Sequence, residues 1–297
     1  MAVHVGVSGW SYPRWRGDFY PQGLPPRREL AHVARHLGAV EVNATFYRLQ
    51  RPATFAQWLE QTPERFRFAL KGSRYITHLR SLRDCRTPLA NFLASGPLVL
   101  GERLGPMLWQ LPASTPYDEE RLDAFLRLLP RSTHEAARLA TEHDARLADR
   151  AWLEPGPDVA LRHVLEPRHP SFHSVQAQEL LRSHQVGTVV SDSAGTFPVF
   201  DAVTSDVVYV RLHGPDRLYQ GGYSATQLDD WAGRIMRWQH DHRDVWVFFD
   251  NDADGRAPYD AVALQSRVLP GPPSSGTADE RRRTDAAASH GSRDDIG

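Results

Sequence analysis

The chain has one cysteine, Cys85, so no disulfide can form within it. The scarcity of cysteine fits a reducing compartment, and we expect a cytoplasmic protein. The N-terminal sequence MAVHVGVSGW lacks a basic segment followed by an apolar core, so no export signal is predicted. Runs of about 20 apolar residues are missing as well, which argues against a membrane span or a membrane partner.

The chain also lacks an excess of either charge. Its formal net charge of −1 gives no overall attraction to nucleic acid or anionic lipid, so any anion site must be local. With 297 residues, 41% of them hydrophobic, the chain is long enough to bury a large core. One α/β barrel would use about 250 residues.

Short β-type runs recur along the chain, and most are followed by a helical segment. Strands are predicted at residues 4–8, 40–43, 66–71, 106–111, 162–166, 188–192, 208–213 and 245–250. Helices are predicted at residues 28–37, 54–61, 89–94, 117–129, 133–148, 175–183, 225–240 and 259–269. This alternation predicts a closed parallel (β/α)8 barrel of the TIM type. An open doubly wound sheet would need a Gly-rich dinucleotide fingerprint after the first strand, and VSGWSYPRWRG is not one.

The predicted barrel is a single domain over residues 1–269. A helical insertion, at about residues 131–160, follows strand four. Residues 270–297 are rich in Pro, Gly, Ser and charge, and cannot bury enough apolar surface to offset their ordering entropy, so we predict a disordered tail.

The seventh strand carries two side chains that apolar strands normally avoid. Arg211 and His213 lie on one face of VYVRLHG, just before a Gly-rich loop. A buried unpaired charge costs several kcal/mol. Two interpretations are therefore open: an arginine salt-bridged inside the barrel, or a ligand site at the carboxyl end of the strand.

The same alternation places a polar residue at the last inward position of strands two to eight. These residues are Asn43, Lys71, Gln110, Glu166, Asp192, His213 and Asp250. On strand six the pattern assigns both Val190 and Asp192 to the interior. The rim that these positions form is the carboxyl-end face, where active sites of the barrel fold lie. The sequence therefore predicts a site at this rim.

A divalent metal is one kind of ligand that fits the rim. Carboxylates with one imidazole suit Mg, Mn or Zn, and Glu166, Asp192, His213 and Asp250 supply them. No HxH, HExxH or DxD cluster supports a metal, and nearby cations oppose one. We therefore predict no cofactor, with a divalent metal as the alternative.

An anion such as phosphate is the other kind of ligand. Lys71, Arg168 and Arg211 would hold it, together with backbone amides of the glycine loop after strand seven. His213 with Glu166 or Asp192 would then move protons. For each carboxylate, an ion pair inside the rim is the alternative to catalysis.

Further side chains near the rim are candidates for substrate binding. They are Trp10, Asn43, Gln110, His169, Tyr223, Asp250 and Asn251. The aromatic residues after strand one, Trp10 among them, would stack on bases or sugar rings or would simply cap the barrel end. His169 lies in a loop, where a capping role is the alternative to ligand binding.

Eight motifs, in order, resemble the YecE-like proteins catalogued as domain of unknown function 72. They are VGVSGWSYPRWRGDFYP, VEVNATFYR, FALKGSRYITH, LGPMLWQLP, LEPRHPSF, VVSDSAG, YVRLHG and VFFDNDADGRAPYDA. The resemblance spans about residues 3–269 apart from the insertion. It implies a barrel of the same broad kind as xylose isomerases and apurinic endonucleases, but no activity. The chain departs from the family pattern at Pro167, Phe172 and Asp250, where Phe, Trp and Asn are usual.

Together these features predict an enzyme acting on a small phosphate-bearing or sugar-like substrate at the rim. A hydrolase or an isomerase would follow by fold analogy only. The alternatives are a nucleic-acid-binding or phosphodiester-processing protein and a non-catalytic ligand-binding barrel. The sequence leaves the oligomeric state open.

Overall fold

Eight parallel strands close into one barrel, in the order in which they occur along the chain. The computed structural model describes residues 1–269, and the predicted tail at 270–297 lies outside the described residues. The strands are β1 Val3–Ser8, β2 Ala39–Val42, β3 Arg67–Lys71, β4 Leu104–Gln110, β5 His163–Glu166, β6 Gly187–Asp192, β7 Val207–Leu212 and β8 Asp244–Phe249. Pairing of β1 with β8 completes the barrel, which confirms the predicted fold class.

Helices lie between most of the strands and cover the barrel. They are α1 Glu29–His36, α2 Ala44–Tyr47, α3 Pro52–Glu60, α4 Arg86–Ala94, α5 Glu119–Leu128, α6 Thr133–Ala140, α7 Val175–Ser183, α8 Ala225–His240 and α9 Ala257–Val268. Local sequence explains several of their starts. Ser224, for example, accepts from the backbone of Gln227, whose side chain accepts from the Ser224 backbone in return. Over residues 1–269, no helix is both long and apolar enough to cross a membrane.

Two apolar cores hold the barrel together. The larger core lies between the strands and the helices and consists mainly of Val, Leu, Ala, Phe and Trp. The smaller core fills the barrel interior with Ala39, Ala69, Leu108, Val164, Val189, Val207, Tyr209, Trp246 and Phe248. Strand alternation predicts most of this interior set, because successive side chains point to opposite faces.

The predicted interior face of strand six is wrong. Val189 and Ser191 pair in register with Tyr209 and Arg211 of β7 and therefore share their inward face. Val190 belongs to the outer core, and Asp192 pairs with Leu212 on the outward side. The register with β5 determines which residues of β6 face inward, because Gly187, rather than Thr188, lies opposite the inward Val164.

The insertion after β4 packs against the flank of the barrel. It contains α6, and Glu142 and Asp144 bond to Arg86 and Asn91 of α4. The predicted helix at 133–148 is wrong beyond Ala140. The Asp144 side chain there accepts from the backbone N–H of Arg146 and starts a separate short turn.

Candidate active site

Arg211 is the centre of a buried charge network at the carboxyl end of the barrel. Only 1% of the residue is exposed. Its guanidinium donates to Glu41 of β2 at 3.0 and 2.8 Å, to Glu166 of β5 at 2.9 Å and to Asp250 after β8 at 2.9 Å. These contacts correspond to the first of the two interpretations of Arg211, an arginine salt-bridged inside the barrel. Because its donors are used inside the network, Arg211 is not free to grip an anion.

His213 lies beside this network. Nη1 of Arg211 lies 3.3 Å from its Nε2, and Oδ2 of Asp250 lies 3.1 Å from its Nδ1, which is buried without a hydrogen-bond partner. His213 is fully buried, and the ring of Tyr219 packs edge-on against it with centroids 5.4 Å apart.

Glu166 is held between two guanidinium groups. Arg168 donates to its Oε1 at 2.9 and 2.8 Å, and Arg211 donates to its Oε2. Burial would raise the pKa of Glu166, but Arg211 and Arg168 outweigh burial and lower the pKa to about 2. Such a carboxylate stays ionised near neutral pH, so the structure favours an ion-pairing role for Glu166 over proton transfer. Arg168 also stacks on Phe197 at 4.1 Å.

Lys71 lies at the end of β3 beside this network, yet it makes no ion pair with any residue of the described range 1–269. Its ammonium lies 4.4 Å from the centroid of the Phe46 ring, and the residue is half-buried. Burial and the nearby Arg211 charge lower the pKa of Lys71 to about 8. Lys71 is therefore a partly accessible amine close to its titration point at neutral pH.

Asp192 lies outside the network, next to the loop that follows β7. The Tyr223 hydroxyl donates to its Oδ2 at 3.1 Å and accepts from the backbone N–H of Gly214 at 3.1 Å. Burial raises the pKa of Asp192, and the residue remains partly exposed. Of the three predicted catalytic residues, Asp192 thus has the surroundings best suited to proton transfer.

Several amides of the glycine loop after β7 are bonded within the protein and are not available to a ligand. The N–H groups of Gly214, Tyr219, Gln220, Gly221 and Tyr223 are all bonded within the protein. The predicted anion cradle of loop amides is therefore wrong for these five groups, because each already has an acceptor.

Three predicted substrate-binding residues have structural partners instead. Asn251 is fully buried and donates to the Gly221 carbonyl and to Asp260, both at 2.8 Å, which ties the β7–α8 loop to α9. Gln110 donates to the neighbouring Leu111 carbonyl at 3.0 Å. His169 accepts from the Ser171 backbone and caps a short turn, the alternative role that the sequence offers.

A cavity of about 380 Å³ opens at the rim between the loops after β1 and β2. Its lining includes Trp10, Tyr12, Asn43 and Tyr47. Asn43 connects this cavity to the buried network, because its Nδ2 donates to Oγ of Ser8 at 3.0 Å and Ser8 in turn bonds to Glu41. Oδ1 of Asn43 is buried without a hydrogen-bond partner.

A second cavity, of about 430 Å³, lies on the other side of Tyr47. Residues following β3, among them Ser73 and Tyr75, line it together with Asp144 and Arg146 of the insertion. Tyr47 borders both cavities and is 68% exposed. The insertion therefore contributes to the surface beside the rim, on the flank where β3 ends.

Most aromatic residues after β1 cap the barrel. Trp15 and Tyr20 are fully buried and pack on each other with ring centroids 5.6 Å apart. Trp10 packs edge-on against Trp58 of α3 at 5.5 Å and remains partly exposed at the cavity. The structure thus supports the capping interpretation for this loop, with Trp10 and Tyr12 as the side chains that also reach the cavity.

Ser8, Glu41 and Asp252 belong to the site region although the sequence prediction did not select them. Glu41 has the same signal as Arg211, a charged residue between apolar neighbours in a strand. Asp252 follows β8 in a turn without periodicity, so no strand pattern could find it. Both of its carboxyl oxygens are buried without a partner, and burial with the Asp250 charge raises the pKa of Asp252 to about 8.

The residues present do not form a metal centre within the described part of the chain. No group of three or more His, Cys, Asp or Glu side chains there could hold a metal ion. Two of the carboxylates predicted as alternative metal ligands instead pair with guanidinium groups. Glu166 binds Arg168 and Arg211, and Asp250 binds Arg211.

Known proteins resemble this chain over most of its length. A family model described as "Protein of unknown function DUF72" matches residues 4–281. The UPF0759 protein YecE of Escherichia coli K12 is 35% identical over 264 residues, which cover 86% of this chain and 89% of YecE. The UPF0759 protein YunF of Bacillus subtilis is 23% identical over 275 residues, covering 86% of this chain and 90% of YunF.

Solved structures of similar proteins share the barrel. A DUF72 family protein of Thermotoga maritima superposes with a TM-score of 0.71 at 25% identity, covering 89% of this chain and 98% of its own. A DUF72 family protein of Enterococcus faecalis gives a TM-score of 0.67 at 19% identity, covering 90% and 95%. The latter likeness concerns the fold alone.

Proposed function

This chain belongs to the DUF72 family of proteins of unknown function, and from that premise we propose that it is an enzyme acting on a small sugar-like substrate at the carboxyl end of its barrel. One observation carries the proposal. The buried Arg211 network reaches a rim cavity through Ser8 and Asn43, so a fixed polar framework ends at an aromatic-lined opening.

The lining of the rim cavity suits a polyhydroxylated ring. Ligand sites combine apolar and aromatic walls with a few placed polar groups, and Trp10, Tyr12 and Tyr47 supply the walls here. The amide of Asn43 supplies a polar group of fixed orientation, because its Nδ2 is held by Ser8. The volume of about 380 Å³ fits a small molecule better than a polymer.

Proton transfer is assigned to the groups with raised pKa values. Asp192 with Tyr223, and Asp252 after β8, are carboxyls whose burial favours the protonated form. Carboxyls and amines with perturbed pKa values in a cleft are candidates for functional groups. Glu166 and Arg211 fix the framework.

A phosphate group on the substrate would have Lys71 as its main cation. The guanidinium groups of Arg168 and Arg211 are engaged by Glu166, Glu41 and Asp250. We therefore propose that unphosphorylated sugars bind, with a phosphorylated sugar gaining about one charge-assisted contact.

A thermal-shift screen tests the proposal. Aldoses, ketoses and polyols, each with its phosphorylated counterpart, are added to the protein, and the melting temperature is measured. A binding sugar raises the melting temperature of the wild type, and Asn43→Ala reduces that rise. Turnover of the binding sugar, followed by chromatography, falls in Asp192→Asn and persists in Asp201→Asn, whose carboxylate is 68% exposed on the same loop region.

Two results would contradict the proposal. If no sugar in the screen shifts the melting temperature, sugars are excluded as the substrate class. Stabilisation without any product in the wild type would instead make the chain a non-catalytic ligand-binding barrel.

Nucleic acid is the alternative partner, and the structure gives it less support. Trp15 and Tyr20, which base stacking would use, are buried. We expect a single-stranded oligonucleotide to bind weakly and with a shallow salt dependence, since neutralising several phosphates gives a steep one. Tight binding that falls steeply between low and moderate salt would favour this alternative.

A further inference from the structure

Lys71 is the only lysine of the chain. The other 34 of its 35 Lys and Arg residues are arginine. Arginine serves as well as lysine, or better, for a fixed ion pair or a surface charge. A primary amine does something that a guanidinium cannot, because it loses its proton near neutral pH and then acts as a nucleophile.

The position of Lys71 suits a reactive amine. It ends β3 at the carboxyl-end face, where active sites of this barrel lie. Its ammonium faces the Phe46 ring at 4.4 Å rather than a carboxylate, so no ion pair holds the proton in place. The side chain of Lys71 is partly exposed. Tyr47, next to Phe46, lines both cavities, and Ser73 lines the larger one.

Burial and Arg211 lower the pKa of Lys71 to about 8. An amine with that pKa is uncharged in roughly a tenth of molecules at pH 7, compared with well under a thousandth for an ordinary lysine. The neighbouring carboxylates of Glu41, Glu166 and Asp250 act in the opposite direction and favour a positive charge at this place. Burial and Arg211 thus favour loss of the Lys71 proton, and the three carboxylates favour a cation that forms later at the same nitrogen.

We propose that Lys71 forms an imine with the aldehyde or ketone group of the substrate. This inference rests on the proposed function, since an open-chain sugar provides that carbonyl. The neutral Nζ attacks the carbonyl carbon, a C–N bond forms as the C=O π bond opens, and one proton passes from the nitrogen to the oxygen to give a carbinolamine. The hydroxyl group takes up one proton from solvent and leaves as water as the C–O bond breaks, which gives a protonated imine, so no oxidant or reductant takes part.

The protonated imine is the cation that the network is arranged to receive. It carries its positive charge where Lys71 carried one, within reach of the field of Glu41, Glu166 and Asp250. The iminium withdraws electrons from the adjacent carbon, which makes a proton on that carbon easier to remove.

Reductive trapping tests the imine. Tag-free protein is incubated at pH 7.5 with glyceraldehyde and sodium cyanoborohydride, which reduces an imine to a stable secondary amine, and the intact mass is followed over time. The α-amino group is the only other primary amine in the chain, and peptide mapping separates the two sites. We expect the Lys71 adduct to form at least about ten times faster than the adduct of free Nα-acetyllysine under the same conditions.

Lys71→Arg is the matched variant, because it keeps the charge and removes the primary amine. It is expected to lose the internal adduct and keep only the N-terminal one. Lys71→Met serves as the second variant, and the melting temperature of each establishes that it is folded. Urea-unfolded wild type should lose the acceleration, since it depends on the folded surroundings of Lys71.

Labelling of Lys71 no faster than labelling of Nα-acetyllysine overturns the imine. If sugars still raise the melting temperature in an Asn43-dependent manner, the proposed function survives that result and the imine alone fails. If sugars neither bind nor label the protein, both proposals fail. Rapid labelling of Lys71 that a binding sugar slows supports both.

Discussion

Arg211 stabilises the fold by providing the counter-charge for three carboxylates around it. Removing the guanidinium would leave Glu41, Glu166 and Asp250 buried together without a counter-charge. Breaking a buried ion pair on one side typically costs about 3–5 kcal/mol. We expect Arg211→Met to lower the free energy of unfolding by at least that amount, measured by urea denaturation.

The control for Arg211 is a guanidinium–carboxylate pair at the surface. Arg86 and Glu142 form a bidentate contact with side chains 61% and 42% exposed. Arg86→Ala is expected to lower the free energy of unfolding far less than Arg211→Met, since solvent screens exposed pairs. Equal losses in the two variants would show that the network contributes no more than a surface pair.

Asp252 gives the stability of the protein a distinctive pH dependence. Its pKa is raised from 3.8 to about 8, so the folded state holds a proton that the unfolded state releases between these values. The stabilising contribution is complete below pH 3.8 and is lost as the pH rises through about 8. Asp252→Asn, which cannot ionise, should therefore stabilise the protein at pH 8 and have little effect at pH 4.

The expected gain at pH 8 is about 1–3 kcal/mol, within the limit of about 5 kcal/mol that the pKa difference allows. Urea denaturation at both pH values measures it. Asp216→Asn, in an exposed loop position, is the control and should change neither value by more than about 0.5 kcal/mol. A gain that is the same at pH 4 and pH 8 would contradict the assigned protonation.

At the scale of elements, strand alternation predicted which side chains enter the barrel wherever one face was clearly polar. Glu41, Glu166 and Arg211 stand between apolar neighbours, so a period of two identifies their face. The prediction for strand six was wrong because Val189 and Val190 are equally apolar, so alternation alone could not show which of them faces the barrel interior. Pairing with β5 and β7 decides that choice, and one sequence contains no direct information about pairing.

The ion pairs of the Arg211 network could not be predicted from the sequence, for a different reason. The charged residues of the rim are visible in the sequence. Which carboxylate meets which guanidinium depends on distances between strands far apart in the chain, such as β2 and β7. Asp252 lies in a turn after β8, where no period applies. Its missing hydrogen-bond partners become visible only in three dimensions.

The close contact of β1 with β2 depends on a glycine. A Cβ added at Gly6 would lie 2.1 Å from the Ala39 carbonyl oxygen, and a backbone atom cannot move aside cheaply. We expect Gly6→Ala to lower the free energy of unfolding by about 3 kcal/mol or more. Gly38→Ala is the control, because the nearest atom to its Cβ would be Oε1 of Gln265 at 3.8 Å. A loss below about 1 kcal/mol in Gly6→Ala would mean that the two strands separate easily.

At the scale of the whole molecule, the two ends of the barrel differ in kind. Towards the amino end the interior is apolar and aromatic, and Trp246 stacks on His4 with ring centroids 4.0 Å apart. Towards the carboxyl end the interior becomes the Arg211 network and then the rim cavity. In this fold the first end contributes stability and the second chemistry. Variants at the two ends should therefore separate the two properties.

Trp246→Ala at the amino end is expected to cost about 3–5 kcal/mol, as the loss of a large buried aromatic does. At temperatures where the variant is folded, the sugar-induced rise in melting temperature should equal that of the wild type. Asn43→Ala at the carboxyl end should lower the free energy of unfolding by only about 1 kcal/mol, and it should reduce the sugar-induced rise in melting temperature. Urea denaturation and the sugar thermal shift, measured on both variants, compare the ends directly. If folded Trp246→Ala also loses the sugar response, the ends are coupled, and the rim cannot be treated as a site carried by an independent scaffold.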